Sequence, residues 1–248
     1  MDCCTVKRMR FLCYNIQYGY GWLQRMGWLG FMARSTRHFP TVQRFLKCVD
    51  ADLVGLVEVD SGSYRSGSQN QAEILARELG YAAAYRSKYA ETGLGQHLPV
   101  LNKQVNAILS RPPILHKKFH ELNYGFKRLV IEVETEEVTV FVAHLSLGTR
   151  ARRRQLLDLH DLVMARNKPC ILAGDFNFLA GPWESKLFLK ASGLTSVNTE
   201  GRASFPSWAP LRELDYVCYS QELKLERFRM PNVRLSDHLP LVCDFTLL

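Results

Sequence analysis

Polar residues that could do chemistry stand at the ends of several short apolar runs in this chain. They are acidic, amide and imidazole side chains, at Asn15, Glu58, His144, Asp175, Asn177, Asp215, Asp237 and His238. Layered α/β proteins form ligand sites at the ends of strands, where loops from neighbouring strands meet. Each position alone is more typical of a loop or packing residue. Together they have the complementary chemistry that metal-assisted hydrolysis of a phosphate ester requires.

The run PCILAGDFN, residues 169–177, shows this pattern most clearly. Its apolar half predicts a fully buried strand over Ile171–Ala173. Gly174 then permits a close backbone approach or an unusual dihedral angle. Asp175 and Asn177 are two residues apart, so they share one face if the strand continues. A turn is the alternative interpretation, because Gly, Asp and Asn are common in turns.

The oxygen-bearing side chains predict a site for a divalent cation. Asn15, Glu58 and Asp237 offer hard oxygen ligands, which suit Mg²⁺ or Mn²⁺. Asp175 and Asn177 could hold and polarise a water molecule opposite the ester bond. We therefore expect Mg²⁺ or Mn²⁺ as the cofactor.

Two histidines could transfer protons or stabilise charge. His238 can act as a general base if a carboxylate fixes its tautomer, and Asp215 is the candidate partner. His144 could stabilise charge on the phosphoryl oxygens or protonate the leaving group. The candidate catalytic residues are His144, Asp175, Asn177, Asp215 and His238.

The elements that must position these residues are both strands and helices. Apolar runs predict strands over residues 10–16, 53–57, 81–85, 105–110, 129–133, 138–143, 171–173, 214–219 and 239–245. Apolar spacing predicts helices over 42–49, 70–79, 150–165 and 183–191. Strands are followed by helices in some places and by strands in others, so the sheets should be mixed. This predicts one α/β domain over residues 1–248, with two sheets packed face to face and helices outside.

Seven segments along the chain carry a family resemblance. They are LCYNIQYG, ADLVGLVEVD, VNAILSR, VAHLSLG, CILAGDFN, LDYVCYS and LSDHLPLV. With them the sequence closely resembles the endonuclease/exonuclease/phosphatase superfamily, which includes deoxyribonuclease I, AP endonucleases, neutral sphingomyelinases and inositol polyphosphate 5-phosphatases. The segments HLSLGTRARRRQL and SFPSWAPLRELDYV resemble small bacterial members of broad specificity. The resemblance implies a four-layer α/β sandwich and a divalent-metal hydrolase.

The resemblance also implies roles by motif position. Asn15 and Glu58 match metal-site residues of the family, and Asp237 matches a metal-associated acid. Asp175 and Asn177 match the residues that orient the attacking water and bind the phosphate.

Further residues match the family, and one of them matches only particular branches. Asp215 and His238 match the acid–histidine pair of the family. His144 matches a histidine of the deoxyribonuclease and sphingomyelinase branches, whereas AP endonucleases carry a different segment there. Asn106 and Arg111 in VNAILSR are candidate contacts to the phosphate or leaving group.

Two further features bear on the substrate. A basic run could grip a polyphosphate backbone, although a solvated helix face is the favoured alternative; its members are Arg150, Arg152, Arg153 and Arg154. Arg150 follows the His144 segment most closely and is the candidate substrate contact. The loop Tyr18–Phe39 interleaves aromatic residues with arginines, which could stack on bases or enter a membrane interface. Alternatively, this loop folds back over the sheet edge or the core.

The composition of the chain indicates which partners and which cellular compartment to expect. The formal net charge of +8 favours polyanions such as nucleic acid or an anionic membrane surface. The seven cysteines include no CxxC pair, which predicts a reduced, cytoplasmic protein without a zinc site. No segment resembles a signal peptide or a membrane span. We expect a cytoplasmic monomer, with peripheral contact to the inner face of the membrane through the Tyr18–Phe39 loop as one option.

These observations lead to one leading hypothesis and two alternatives. The leading hypothesis is a Mg²⁺- or Mn²⁺-dependent phosphodiesterase that acts on a nucleic acid or a phospholipid-type diester by in-line attack of water. The first alternative is a phosphomonoesterase of a small or lipid phosphate. The second is a non-catalytic anion-binding module that kept the fold. The presence of the complete polar set argues against the module.

Overall fold

We describe a computed structural model of the chain over residues 7–21, 38–88, 100–179 and 181–248. Strands β1 to β12 span Arg8–Asn15, Leu53–Asp60, Ala82–Ser87, Gln104–Ser110, His116–Glu121, Leu129–Glu134, Thr139–His144, Cys170–Asp175, Thr195–Ser196, Asp215–Tyr219, Leu223–Arg229 and Leu241–Leu247. Helices α1 to α4 span Phe39–Val49, Gln71–Leu79, Thr149–Met164 and Trp183–Ser192.

The strands form two six-stranded mixed sheets. The first has the order β11-β12-β1-β2-β4-β3, and the second has the order β5-β6-β7-β8-β10-β9. The pairs β1/β2 and β7/β8 are parallel, and the other pairs are antiparallel. The predicted four-layer α/β sandwich is confirmed.

Three apolar clusters hold the layers together. One lies between the sheets and includes Phe11, Leu53, Ile131, Val142 and Ile171. A second joins the first sheet to α1 and α2, and a third joins the second sheet to α3 and α4. The central strands β1, β2, β7 and β8 are buried on both faces, which is why they read as continuous apolar runs.

Gly174 is required by the way β7 and β8 pack. Its φ angle is +141°, and a Cβ atom built there would lie 1.8 Å from the carbonyl oxygen of Ala143. Only glycine avoids this overlap, so the expected close backbone approach is confirmed.

Three strands differ from the sequence-based expectation. β5 and β11 were not predicted, because both are edge strands in which charged residues interrupt the apolar alternation. β9 has only two residues and is too short to leave a pattern. Within the described residues, no helix has the length and apolar character that crossing a membrane demands.

The aromatic loop is described only at its two ends. Tyr18, Tyr20 and Phe39 are buried there. Residues 22–37, on which the predicted base-stacking or membrane contact mainly falls, lie outside the described residues. That prediction therefore stays a prediction.

Candidate functional site

The strand directions bring the predicted polar residues to one edge of the two sheets. In the second sheet, Asp175 ends β8 and is paired with His144 at the end of β7 and with Asp215 at the start of β10. In the first sheet, Asn15 ends β1, and β12 begins beside it because Leu241 pairs with Cys13. Residues 237 and 238, which precede β12, therefore reach the same edge.

Asp175 lies at the centre of this cluster. Its Oδ2 atom is 3.2 Å from His144 Nε2, 3.9 Å from His238 Nε2 and 3.3 Å from the amide nitrogen of Asn15, which donates to it. Burial alone would raise the pKa of Asp175, but the positive charge that His144, His238 and Lys127 can carry lowers it. Asp175 is therefore a carboxylate at neutral pH.

Asn177 is fixed next to Asp175 by the backbone. Its φ angle is +53°, its backbone N–H donates to Asp175 Oδ1 at 3.1 Å, and its side-chain amide donates to the carbonyl of Leu145 at 2.9 Å. Positive φ at a non-glycine residue is strained and is common at functional sites. The side-chain bond uses the amide nitrogen of Asn177, and its amide oxygen is the acceptor side of the carboxamide.

His238 and Asp215 form the predicted acid–histidine pair. Their Nδ1 and Oδ2 atoms are 2.7 Å apart, and the hydroxyl of Ser204 donates to the same oxygen at 2.6 Å. Burial alone would lower the pKa of His238, but Asp215, Asp175 and Asp237 raise it to about 10. With this charge environment His238 is a cation at neutral pH. A general-base role thus requires the surrounding carboxylates to be neutralised first.

Glu58 extends the cluster into the first sheet. It lies in the irregularity where the pairing of β2 with β4 shifts register, and its φ angle is +58°. Its carboxylate is 3.7 Å from Lys88 Nζ and 3.9 Å from His144 Nδ1. Burial alone would raise the pKa of Glu58, but Lys88, His144 and Lys127 lower it to about 2.

Two lysines at the site were not predicted. Lys88 is buried, donates to the hydroxyl of Tyr18 at 2.7 Å, and has its pKa lowered by burial to about 8. The ammonium group of Lys127 contacts His144 Nε2. Both follow or precede a strand, but so do Lys103 and Lys168, so the strand-end criterion alone would not have singled them out.

His144 is a neutral imidazole in this environment. Burial and the neighbouring charge of Lys127 lower its pKa to about 4. The positive charge beside it at neutral pH therefore comes from Lys127, not from the imidazole. Because its ring is neutral, His144 is poorly suited to protonate the leaving group at neutral pH. It can still form hydrogen bonds to the substrate.

The predicted metal ligands have the right donor chemistry for a hard divalent cation. Asn15 Oδ1 accepts from the backbone N–H of Gln17 at 3.1 Å, and the Gln17 side chain donates to Asp237 Oδ2 at 2.9 Å. Burial and the negative charge of Glu58 raise the pKa of Asp237 to about 6, against the lowering effect of His238. A cation would relieve this repulsion. In the described ranges, no group of three or more His, Cys, Asp or Glu side chains is arranged to hold a metal ion.

Asn106 is placed beside the Glu58 irregularity. It lies in β4 between Val105, which pairs with Val59, and Ala107, which pairs with Leu56. It is fully buried, and neither polar atom of its amide has a hydrogen-bond partner among the described residues. A buried amide without partners costs free energy, which a ligand would recover. Its predicted substrate contact stays a prediction.

The prediction that Arg111 contacts the phosphate is wrong. Because β4 runs antiparallel to β2, the residue after β4 lies at the opposite end of the sheet from Glu58. There Arg111 forms ion pairs with Asp50 and Asp52 and donates to the hydroxyl of Tyr81. Its role in the structure is to tie these loops together.

The four arginines at the start of α3 have different surroundings, so they form neither a single phosphate-binding surface nor a single solvated helix face. Arg152 is fully buried and donates to Glu184 of α4 at 2.9 and 2.7 Å. Arg153 and Arg154 stack over the rings of Trp183 and Tyr124. Arg150 is exposed in the first turn of α3, and its predicted substrate contact stays a prediction.

Comparison with known families gives one match over most of the chain. A family model described as "Endonuclease/Exonuclease/phosphatase family" matches residues 13–238.

Two curated bacterial relatives share part of the sequence. A UPF0294 protein of Vibrio cholerae is 32% identical over 132 residues, which are 50% of this chain and 44% of that protein. One of Klebsiella pneumoniae is 31% identical over 114 residues, covering 44% and 41%. The match thus spans less than half the length of these relatives.

Solved structures share the fold at low sequence identity. An endonuclease/exonuclease/phosphatase from Beutenbergia cavernae aligns with a TM-score of 0.76 and 21% identity, covering 97% of this chain and 72% of that one. The mannosyl-6-phosphatase of Bacteroides thetaiotaomicron aligns with a TM-score of 0.70 and 17% identity, covering 96% and 99%. ANGEL2, a 2′,3′-cyclic phosphatase bound to adenosine-2′,3′-vanadate, aligns with a TM-score of 0.67 and 18% identity, covering 98% and 97%.

Proposed function

Because the chain belongs to the endonuclease/exonuclease/phosphatase family, we propose that it is a divalent-metal-dependent phosphodiesterase. Its substrate would be a nucleic acid or a phospholipid-type diester, cleaved by in-line attack of water. The observation that carries this proposal is the cluster around Asp175, which joins a carboxylate, two histidines and an amide at one sheet edge. The similarity to a 2′,3′-cyclic phosphatase, whose named substrate is a phosphodiester, agrees with it.

In this proposal Asp175 and Asn177 position the attacking water. The carboxylate of Asp175 accepts a hydrogen bond from the water, and the backbone bond from Asn177 to Asp175 keeps the carboxylate oriented. His238 is held by Asp215, and its Nε2 lies 3.9 Å from Asp175 Oδ2. It stabilises negative charge as a cation or accepts the water proton once neutral.

The phosphate would lie among the positive groups of the site. Lys127 and Lys88 provide positive charge next to His144 and Glu58, where negative charge develops on the phosphoryl oxygens. Glu58, Asp237 and Asn15 would hold Mg²⁺ or Mn²⁺, which supplies charge neutralisation of the phosphate and of the acidic cluster.

A phosphomonoesterase is the second candidate, and the charge of the site favours it. Lys88, Lys127 and the cationic His238 all belong to the cluster that contains Glu58, His144 and Asp175. A monoester carries one more negative charge than a diester and would gain more from these cations. The similarity to a mannosyl-6-phosphatase points in the same direction.

Turnover of two chromogenic esters tests both candidates. The purified chain should hydrolyse bis-p-nitrophenyl phosphate with Mg²⁺ or Mn²⁺, and chelation with EDTA should abolish the activity. Faster turnover of p-nitrophenyl phosphate than of the diester would establish the monoesterase instead. Failure to hydrolyse either ester with either ion would favour an anion-binding module.

The compartment is proposed from the cysteines. Cys13, Cys170, Cys218 and Cys243 are buried free thiols. Buried thiols of this kind persist in a reducing environment, which supports a cytoplasmic location.

A further inference from the structure

Helices α3 and α4 present an apolar groove to solvent on the outer face of the second sheet. The groove has a volume of about 520 Å³. Three large apolar side chains stand exposed around it: Leu157 by 67%, Leu187 by 63% and Trp183 by 43%. Leu156 and Phe188 form its buried floor. Soluble domains rarely leave such a contiguous apolar patch without a binding partner.

Exposed cations lie on both helices of this groove, and Arg153 is part of its lining. Arg150, Arg153 and Arg154 lie on α3, and Lys186 and Lys190 lie on α4.

Few acidic side chains lie near the groove, and most of them have an ion-pair or hydrogen-bond partner. Glu184 is buried and paired with Arg152, and its other carboxylate oxygen is 3.5 Å from Arg153 Nε. Asp158 accepts from Asn123. Asp161, further along α3, is exposed next to His160. The rim of the groove is therefore net positive.

The same surface continues to the rim of the candidate site. β7 and β8 carry His144 and Asp175 at their ends, and α3 and α4 follow these strands, so the helices begin on the site side. The connecting loops expose Leu147 by 59% and Leu179 by 39%. Apolar and basic side chains thus run from the site rim along both helices.

We propose that this α3/α4 face docks on an anionic lipid bilayer. Exposed leucines and a tryptophan enter the headgroup region, while flanking Arg and Lys side chains meet lipid phosphates. The stacking of Arg153 on the ring of Trp183, with the guanidinium carbon 4.6 Å from the ring centroid, places a charge and an apolar group side by side as such an interface needs.

Charge complementarity separates this occupant from two others. A nucleic acid would satisfy the cations but leave Leu157 and Leu187 against a polar backbone. A second copy bound through a twofold contact would bring the same positive rims against each other. An anionic bilayer matches both the apolar groove and its basic rim.

What docking implies for the substrate rests on the proposed function. If the chain cleaves phosphodiesters, docking would place the site rim against the headgroups and make a phospholipid the substrate class. Binding itself does not depend on catalysis.

Vesicle flotation tests the docking directly. The wild-type chain should float with phosphatidylcholine vesicles that contain 30% phosphatidylglycerol and not with phosphatidylcholine alone. We expect the Leu157→Gln/Leu187→Gln variant to lose about tenfold of its binding, and the Lys186→Gln/Lys190→Gln variant to lose a similar factor.

Two control variants change exposed residues of the same types away from the groove, on the edge strand β5 and just before that strand. Leu115→Gln removes another exposed leucine, and Lys117→Gln/Lys118→Gln removes two exposed lysines. Both should bind as the wild type does. Absence of wild-type flotation, or equal flotation of the leucine variant, overturns the proposal. A concentration-dependent dimer that the leucine variant abolishes, without vesicle binding, would instead establish a second copy as the occupant.

Turnover of the soluble diester keeps the two proposals separate. The leucine and lysine variants should hydrolyse bis-p-nitrophenyl phosphate at the wild-type rate. If the wild type floats with anionic vesicles but hydrolyses no ester, the docking stands and the proposed function fails.

Discussion

Asp175 is the residue on which the charges of the site converge. It contacts His144, His238 and Asn15, each from a different strand or loop. Its ionised state depends on these neighbours, because burial alone would favour the protonated acid. The site is therefore a balance of buried charges and not a set of independent residues.

The pKa of His144 predicts a specific pH dependence of stability. Its folded-state pKa of about 4 lies below the ordinary value of 6.5. The folded state thus prefers the neutral ring, and this stabilisation is present above pH 6.5 and lost as pH falls toward 4. Replacing His144 by Gln removes the titration.

Urea unfolding of the wild type and His144→Gln at pH 7 and pH 4.5 measures this effect. The free energy of unfolding of the wild type relative to the variant should fall by about 2 kcal/mol over that range. Other titrating groups, including Asp237 and His238, are common to both proteins and largely cancel in the difference. A difference that does not change with pH would contradict the assignment.

Lys127 is predicted to contribute to catalysis through its charge. Its ammonium group contacts His144 next to Asp175. If it stabilises charge on the phosphoryl oxygens, Lys127→Met should lower kcat for bis-p-nitrophenyl phosphate by about 100-fold. Lys117→Met, on the exposed strand β5, is the control and should leave kcat unchanged. A Lys127→Met rate within twofold of the wild type would exclude this role.

Acids, amides and histidines of the site were accessible from the sequence, whereas its lysines were not. Asn15, Glu58, Asp175 and His238 punctuate apolar runs and belong to recognisable segments. Lys88 and Lys127 stand among 32 Lys and Arg residues, so residue type alone does not distinguish them. Only the strand order shows that they approach Glu58 and His144.

At the level of elements, parallel and antiparallel pairing decides which predicted residues meet. The register His144–Asp175–Asp215 across β7, β8 and β10 assembles three site residues in one row. The antiparallel direction of β4 moves Arg111 to the far end of the sheet. Apolar runs predicted the central strands well, but strand direction is set by long-range pairing and was not readable. Arg111 was misplaced for that reason.

The contact of Gly174 with β7 predicts a severe effect of one methyl group. Gly174→Ala would put Cβ 1.8 Å from the Ala143 carbonyl oxygen at a φ of +141°. The row of site residues would have to separate, so the variant should lose more than about 4 kcal/mol of stability or fail to fold. Urea unfolding followed by circular dichroism measures this.

Gly148→Ala is the matched control for that substitution. Gly148 has a φ of −73°, and no atom lies within 4 Å of the position of its Cβ. Its stability should change by no more than about 0.5 kcal/mol. A Gly174→Ala protein with the wild-type unfolding midpoint would show that β7 and β8 do not pack as described.

The whole molecule combines two surfaces with different chemistry. The sheet edge holds buried, mutually compensating charges, whereas the α3/α4 face holds exposed leucines within a basic rim. The net charge of +8 predicted a polyanionic partner, but only the helix packing shows where part of that charge lies beside apolar groups. The sandwich itself was predictable, since buried strands and amphipathic helices leave few layer arrangements.

The central claim is that the cluster around Asp175 hydrolyses phosphate esters. The most direct test is the kcat/KM of Asp175→Asn for bis-p-nitrophenyl phosphate with Mn²⁺, because this substitution keeps the shape and removes the charge. Asp161→Asn is the control, since the Asp161 side chain is 84% exposed on α3. We predict a loss of about 1,000-fold in Asp175→Asn and wild-type activity in Asp161→Asn, with both proteins folded by circular dichroism. A folded Asp175→Asn protein with activity within threefold of the wild type would contradict the account.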